Sequence, residues 1–125
     1  MSSYKRVILE MGMGVDLYGE DYTKAAKRGI SDALRHSSLT LLRTLELDRN
    51  AMRVTVTVGV QKPDRIDSAV LQKEIPYGEV HVNAELGGMN VVDEDNGTTT
   101  VMASVAVIAE LLLPDERFVV SDSSA

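Results

Sequence analysis

Apolar positions recur with two different periods along the chain, and the changes of period mark the elements. Val7 to Met13 predicts a strand. Val7, Leu9, Met11 and Met13 share one face, and Ile8 adds an apolar residue to the other, as in a strand covered on both sides. Beyond Asp21 the period becomes helical. Ala26, Ile30, Ala33, Ser37 and Leu41 fall at spacings of four, three, four and four, which predicts a long helix from about Tyr22 to Thr44. Lys24, Lys27, Arg28, Ser31 and Arg35 lie on its other faces, and Asp48 to Asn50 predict a turn. In MRVTVTVGVQ, Val54, Val56, Val58 and Val60 alternate with Arg53, Thr55 and Thr57, the pattern of a half-buried strand. Asp67 is placed to cap a short helix over Ser68 to Glu74, which Pro76 stops. Val80, Val82, Ala84 and Leu86 alternate with Glu79, His81, Asn83 and Glu85 in a further strand. Asn96-Gly97 is a hairpin signal, and Thr98 to Leu113 reads as one long strand ended by Pro114.

The resulting order is β-α-β-α-β-β. It predicts a single α/β (α+β) domain over residues 1–125, with a flexible tail from about 115 to 125. One long and one short helix would cover one face of a four-stranded mixed sheet, whose last pair is antiparallel because of the tight hairpin. The other face would carry Thr55, Thr57, His81, Asn83, Glu85, Thr100, Ser104 and Glu110, either solvated or packed in an oligomer. This element order resembles that of the Bacillus chorismate mutase and YjgF-like folds. The resemblance implies a homo-oligomer, a trimer or a multiple of one, with sites between subunits.

Composition narrows the partners. Aromatic residues make up only 4% of the chain and Trp is absent, so the core must be aliphatic. A net charge of -6 argues against a nucleic-acid backbone as partner. No apolar run reaches the ~18 residues of a membrane span, so no membrane association is expected. The absence of cysteine removes disulfides, thiol nucleophiles and thiolate metal sites. With no signal-peptide pattern at the N-terminus, a cytoplasmic location is the expectation.

The concentrated chemistry lies in MGMGVDLYG, read as a strand exit leading into the long helix. Glycine costs conformational entropy, so Gly12, Gly14 and Gly19 need a reason. The dinucleotide fingerprint is not present, because Leu17 holds the position of its third glycine, and no Gly-Lys-Ser/Thr follows. Glycines still allow backbone N–H groups to approach a ligand, and the helix start adds positive dipole. Asp16 has two readings: a turn carboxylate that holds the loop's own N–H groups, or a ligand, base or metal contact. Thr23 and Lys24 follow at the helix start. Lys24 and Arg28 are one turn apart and suit an anionic ligand such as a carboxylate or phosphate.

Other candidates are sparser. His36 follows Asp32 by four residues, as an ion pair or as an acid–base group facing the loop. His81 shares a strand face with Glu79 and Glu85, a solvated face or a divalent-metal site. Ser104 and Lys24 are a candidate Ser–Lys pair, by analogy with ring-opening amidohydrolases of the cyanuric acid type.

The stretch GMGVDLYG is similar to GxGxDxHG, the signature of a family of conserved hypothetical proteins of bacteria and plants named from a Listeria locus tag (the Lin family). The likeness continues through EDYTKAAKRGISDAL, VTVGVQKPDRID, IPYGEV and the Gly87-Gly88 pair after EVHVNAEL. It implies that Gly12, Gly14, Asp16 and Gly19 are signature positions, and it implies no reaction. The signature histidine is Tyr18 here. Tyrosine can donate a hydrogen bond or stack, but it does not titrate near neutral pH.

These observations predict an oligomeric protein that binds a small-molecule ligand, anionic in character, at the loop around Asp16. In an enzyme, acid–base or hydrolytic work would fall to Asp16, His36 and Tyr18. Gly12, Gly14, Gly19, Thr23, Lys24, Arg28, Glu85, Gly87 and Gly88 would bind the ligand. No metal ligands and no cofactor are assigned. The alternative is a non-catalytic partner subunit, paired with a paralogue, or a ligand-sensing module that lost activity with the signature histidine.

Overall fold

The computed structural model describes residues 2–35, 52–75 and 78–114. The second half of the predicted long helix with His36, the turn at Asp48 to Asn50, Pro76 and the tail lie outside the described residues. Within them, β1 (Ser2–Asp16) leads to α1 (Tyr22–Arg35), then β2 (Met52–Val60), a 3-10 turn (Pro63–Arg65), α2 (Ser68–Gln72), β3 (Glu79–Leu86), β4 (Met89–Asp93) and β5 (Thr98–Pro114). The strand order is β1-β5-β2-β3, and β4 pairs with β5 as well. β5 is antiparallel to β1, β2 and β4, whereas β3 runs parallel to β2. The domain is therefore mixed α+β, as predicted, but the sheet has five strands rather than four.

The extra strand arises at Gly87-Gly88. β3 is an edge strand beside β2, and β4 continues in the lane of β2, pairing with Thr98 to Met102 of β5 where β2 pairs with Ser104 to Leu111. To change lanes the chain must pass against the end of β2. A Cβ on Gly87 would sit 3.0 Å from the Gly59 Cα, and Gly88 takes a φ of +64° against the backbone of Gly59 and Met102. The predicted hairpin at Asn96-Gly97 is present, but it joins β4 to β5 rather than β3 to β5. Asn96 donates from its side chain to Asp93 Oδ2 at 2.7 Å and from its backbone to Oδ1 at 3.3 Å. These bonds hold the Asp93 carboxyl below its ordinary range.

α1 packs on one face of the sheet, over β1 and β5. The buried row of β5 is Val101, Ala103, Val105, Val107 and Ala109, and that of β2 is Val54, Val56 and Val58. Ala25, Ala26, Ile30 and Ala33 of α1 close on them, joined by Tyr22 and by Leu71 of α2. The core is aliphatic, as the composition requires.

The orientation of β1 is the main surprise. Its inward row is Ile8, Glu10, Gly12, Gly14 and Asp16, whereas Leu9, Met11 and Met13 point away from the helix and are exposed. The apolar row that the alternation picks out thus lies on the helix-free face. The inward row is small because α1 presses against it. A Cβ on Gly12 would lie 2.5 Å from the Ala33 nitrogen and 2.6 Å from the Gly29 carbonyl oxygen, and one on Gly14 would collide with the backbone of Ala25 and Gly29. Gly29 faces back in the same way, since a Cβ there would meet Val105 Cγ2 at 2.6 Å.

Gly14→Ala must push α1 off the sheet, because the obstacle is backbone and cannot rotate aside. It is expected to destabilise the fold by about 3 kcal/mol, the upper end for overpacking. Gly97→Ala meets no atom within 4 Å and bears only the strain of its φ of +65°, so it is expected to cost about 1 kcal/mol. Urea denaturation of the two variants checks the difference.

Candidate functional site

The turn between β1 and α1 is organised by one carboxylate. Asp16 is the last residue of β1, and its inward position leaves it 6% exposed. Its Oδ2 accepts the backbone N–H groups of Gly19 at 3.1 Å and Asp21 at 3.0 Å. A Cβ on Gly19 would lie 3.0 Å from that same oxygen, so the glycine allows the turn to close on the carboxylate. Asp21 in turn caps α1: its Oδ1 accepts from the Lys24 N–H at 3.0 Å. Glu20, between them, takes a φ of +46°. Two acidic side chains thus accept in sequence from two donors of the turn and one of the first helical turn.

Cations gather on the other carboxylate oxygen. Arg28 Nη1 lies 3.6 Å and Lys24 Nζ 4.0 Å from Asp16 Oδ1. Arg28 Nη1 also donates to the Val15 carbonyl oxygen at 2.6 Å, which fixes the guanidinium over the end of β1. Both cations are about half exposed, so the ion pairs themselves contribute little, about 0–1 kcal/mol each. Asp16, Leu17, Tyr18, Gly19, Asp21, Lys24 and Arg28 line an open recess of about 390 Å³. A neighbouring recess of about 360 Å³ shares Lys24 and Arg28 and adds Lys27, Ser31 and Glu74. Lys27 pairs with Glu74 at 3.5 Å.

Of the residues predicted for the site, the structure brings together Asp16, Tyr18, Gly19, Lys24 and Arg28. Tyr18 stands at the tip of the turn, 76% exposed. Gly12 and Gly14 lie within β1 rather than in a loop, and their free face is filled by α1, so they meet helix backbone instead of ligand. Thr23 is committed elsewhere: its hydroxyl accepts the Asp67 N–H at 2.9 Å and donates to the Arg65 carbonyl at 3.4 Å, tying α1 to the 3-10 turn. Gly87 and Gly88 serve the lane change of the sheet, and Glu85 sits on β3, at the opposite edge of the sheet from β1.

The remaining pairings also resolve. Ser104 faces away from α1 while Lys24 belongs to it, so the sheet separates the two and no Ser–Lys pair forms. His81 makes an exposed pair with Glu79 at 3.3 Å. Among the described residues no group of three or more His, Asp or Glu side chains is placed to hold a metal ion. Asp32, the predicted neighbour of His36, accepts the Met13 N–H at 3.1 Å and so caps the free edge of β1. Two roles escaped the sequence reading. Tyr22 is buried and accepts from Asn90 Nδ2 at 2.8 Å, joining α1 to β4, and Arg28 anchors the Val15 carbonyl. Neither partner lies near in sequence, so no local pattern could signal them.

The family model for a conserved hypothetical protein family, Lin0512_fam, matches residues 6–109. The chain belongs to this family. The matched span runs from β1 almost to the end of β5 and includes every residue of the recess. No curated protein matches the chain. Among solved structures, the chain is similar to an FtsZ-like protein of unknown function from Nostoc punctiforme, with 28% sequence identity and a TM-score of 0.76. That match covers 90% of this chain and 100% of the other. The similarity therefore reaches across the whole sheet-and-helix arrangement. Among the described residues, no helix is long and apolar enough to cross a membrane.

Asp16→Ala leaves the Gly19 and Asp21 N–H groups without their acceptor. It is expected to cost about 1–3 kcal/mol. Asp16→Asn, which keeps one acceptor oxygen, should cost less. Denaturant midpoints for the two variants test this order.

Proposed function

We propose that this Lin0512_fam protein binds a small anionic molecule in the recess beside Asp16, through Lys24 and Arg28. The observation that carries the reading is the division of labour at Asp16. One carboxylate oxygen is occupied by two backbone N–H groups, and the other orients two half-exposed cations that border an open recess. A guanidinium fixed by its own carbonyl contact is a preorganised partner for a carboxylate or phosphate. The adjoining recess, with Lys27 and Ser31 on its wall, extends the space for a ligand longer than a single anionic group.

The same geometry favours binding over turnover. With Oδ2 saturated and Oδ1 paired, Asp16 acts as a positioning residue rather than a general base. Tyr18 stands where the signature histidine would be and offers a hydroxyl and a ring. A ligand-sensing module or non-catalytic partner subunit therefore fits the described residues better than acid–base or hydrolytic catalysis. This reading includes a homo-oligomer, a trimer or a multiple of one, as the resemblance to the Bacillus chorismate mutase and YjgF-like folds implies.

Thermal-shift titration with inorganic phosphate and with succinate tests the binding. A ligand at about a hundred times its Kd contributes about 2.7 kcal/mol of stability. The wild type is expected to show a saturable rise in Tm with at least one of the two anions. Arg28→Gln should weaken that response about tenfold, the loss of one charge-assisted hydrogen bond. Equal responses in wild type and variant would remove the recess as the site.

A further inference from the structure

The helix-free face of the sheet carries a largely apolar surface that the described residues leave uncovered. Leu9, Met11, Met13 and Val15 of β1 point outward in one row, and Met89 and Val91 of β4 continue it beyond β5. These six side chains are 37% to 68% exposed. Met102, Ala106 and Ile108 of β5 fill the lane between and are half-buried, with the exposed hydroxyl of Ser104 among them. β1 thus inverts the usual pattern, with glycine and aspartate towards the helix layer and long apolar side chains towards solvent. Single exposed apolar residues are ordinary, but a contiguous apolar sheet face marks an interaction surface.

We propose that a second copy of this chain covers this face, packing sheet against sheet. Three observations select that occupant. The first is shape. Both recesses described lie on the helix side of the molecule, at the start and along the outer surface of α1, whereas this face is a twisted sheet surface of the kind that packs on another sheet. The second is charge. Glu79, Glu85 and Glu110 on this face outnumber Arg6 and Arg53. Arg53 and Glu110 neutralise each other at 3.2 Å, and Arg53 also lies 3.9 Å above the Tyr4 ring. A face without a basic cluster does not suit a lipid headgroup or a nucleic-acid backbone. The third is size. From Tyr4 to Val15 the outward row runs ~36 Å at ~3.3 Å per residue, across three full lanes and a shorter fourth at ~4.8 Å each. That is ~600 Å² of sheet per copy and ~1,200 Å² for two, the size at which specific interfaces begin. The polar half of the same face, with Thr55, Thr57 and Asn83, supplies hydrogen-bonding groups along one side of the apolar half.

Light scattering and methionine footprinting of the intact protein test the proposal together. The wild type should have at least twice the 13.6 kDa of one chain at micromolar concentration. Brief peroxide treatment followed by mass spectrometry should find Met11, Met13 and Met89 oxidised several-fold more slowly than free methionine. Met11→Glu should give folded monomers, because its side chain is exposed in the single chain, and the monomers should lose the protection. Lys27→Glu, on the helix side, should leave the assembly intact. A monomeric wild type, or assembly of unchanged mass in both Met11→Glu and Met13→Lys, would overturn the proposal. Protected methionines in a monomer would overturn it too, in favour of another segment of the same chain lying on the face.

Discussion

The close approach of α1 to β1 is the constraint on which the rest of the structure depends. At Gly12 and Gly14 the strand meets the helix backbone with no room for a Cβ, and at Gly29 a Cβ would meet the Val105 side chain. A helix normally rests on side chains, with its axis some distance from the sheet. Here it is drawn in by the missing side chains, and the start of α1 is brought directly behind the end of β1. The turn from Asp16 to Asp21 then has only a few residues in which to reverse the chain. The Asp16 carboxylate accepts the Gly19 and Asp21 N–H groups, and Asp21 accepts the Lys24 N–H of the first helical turn.

Both proposed surfaces follow from that contact. Because the inward row of β1 is spent on glycine, its large apolar side chains stand on the opposite face, where the helices cannot cover them. Because α1 begins so close to the strand end, Lys24 and Arg28 reach over Asp16 and present their charges beside an open recess. The carboxylate is buried and engaged, and the cations are half exposed. The group proposed to meet a ligand is therefore the cationic pair, and Asp16 sets where that pair stands.

Much of this arrangement was legible in the sequence. The Val54 to Val60 alternation, the helical spacing from Ala26 to Ala33, the Asp67 cap and the Asn96-Gly97 turn each name an element the structure contains. β4 escaped because it has only five residues and follows a glycine pair directly, so it reads as the end of the strand before it. Periodicity also finds an apolar row without saying which way it faces. For β1 the decisive clue was the glycine row opposite Leu9, Met11 and Met13, and a small residue signals close packing as readily as a ligand loop. Within the site, the clustering of Asp16, Gly19, Lys24 and Arg28 was visible, since all four lie within one turn and the helix after it. The division of the Asp16 oxygens between backbone and cations was not, because it depends on the path of the turn.

Amide hydrogen exchange at Gly19 and Asp21, followed by NMR, tests most directly the claim that the helix–strand contact and the Asp16 carboxylate build this turn. The account predicts slow exchange at both amides in the wild type, and loss of that protection in Gly14→Ala under conditions where β2 and β5 remain protected. Rapid exchange at both amides in the wild type, or protection unchanged by Gly14→Ala, would contradict it.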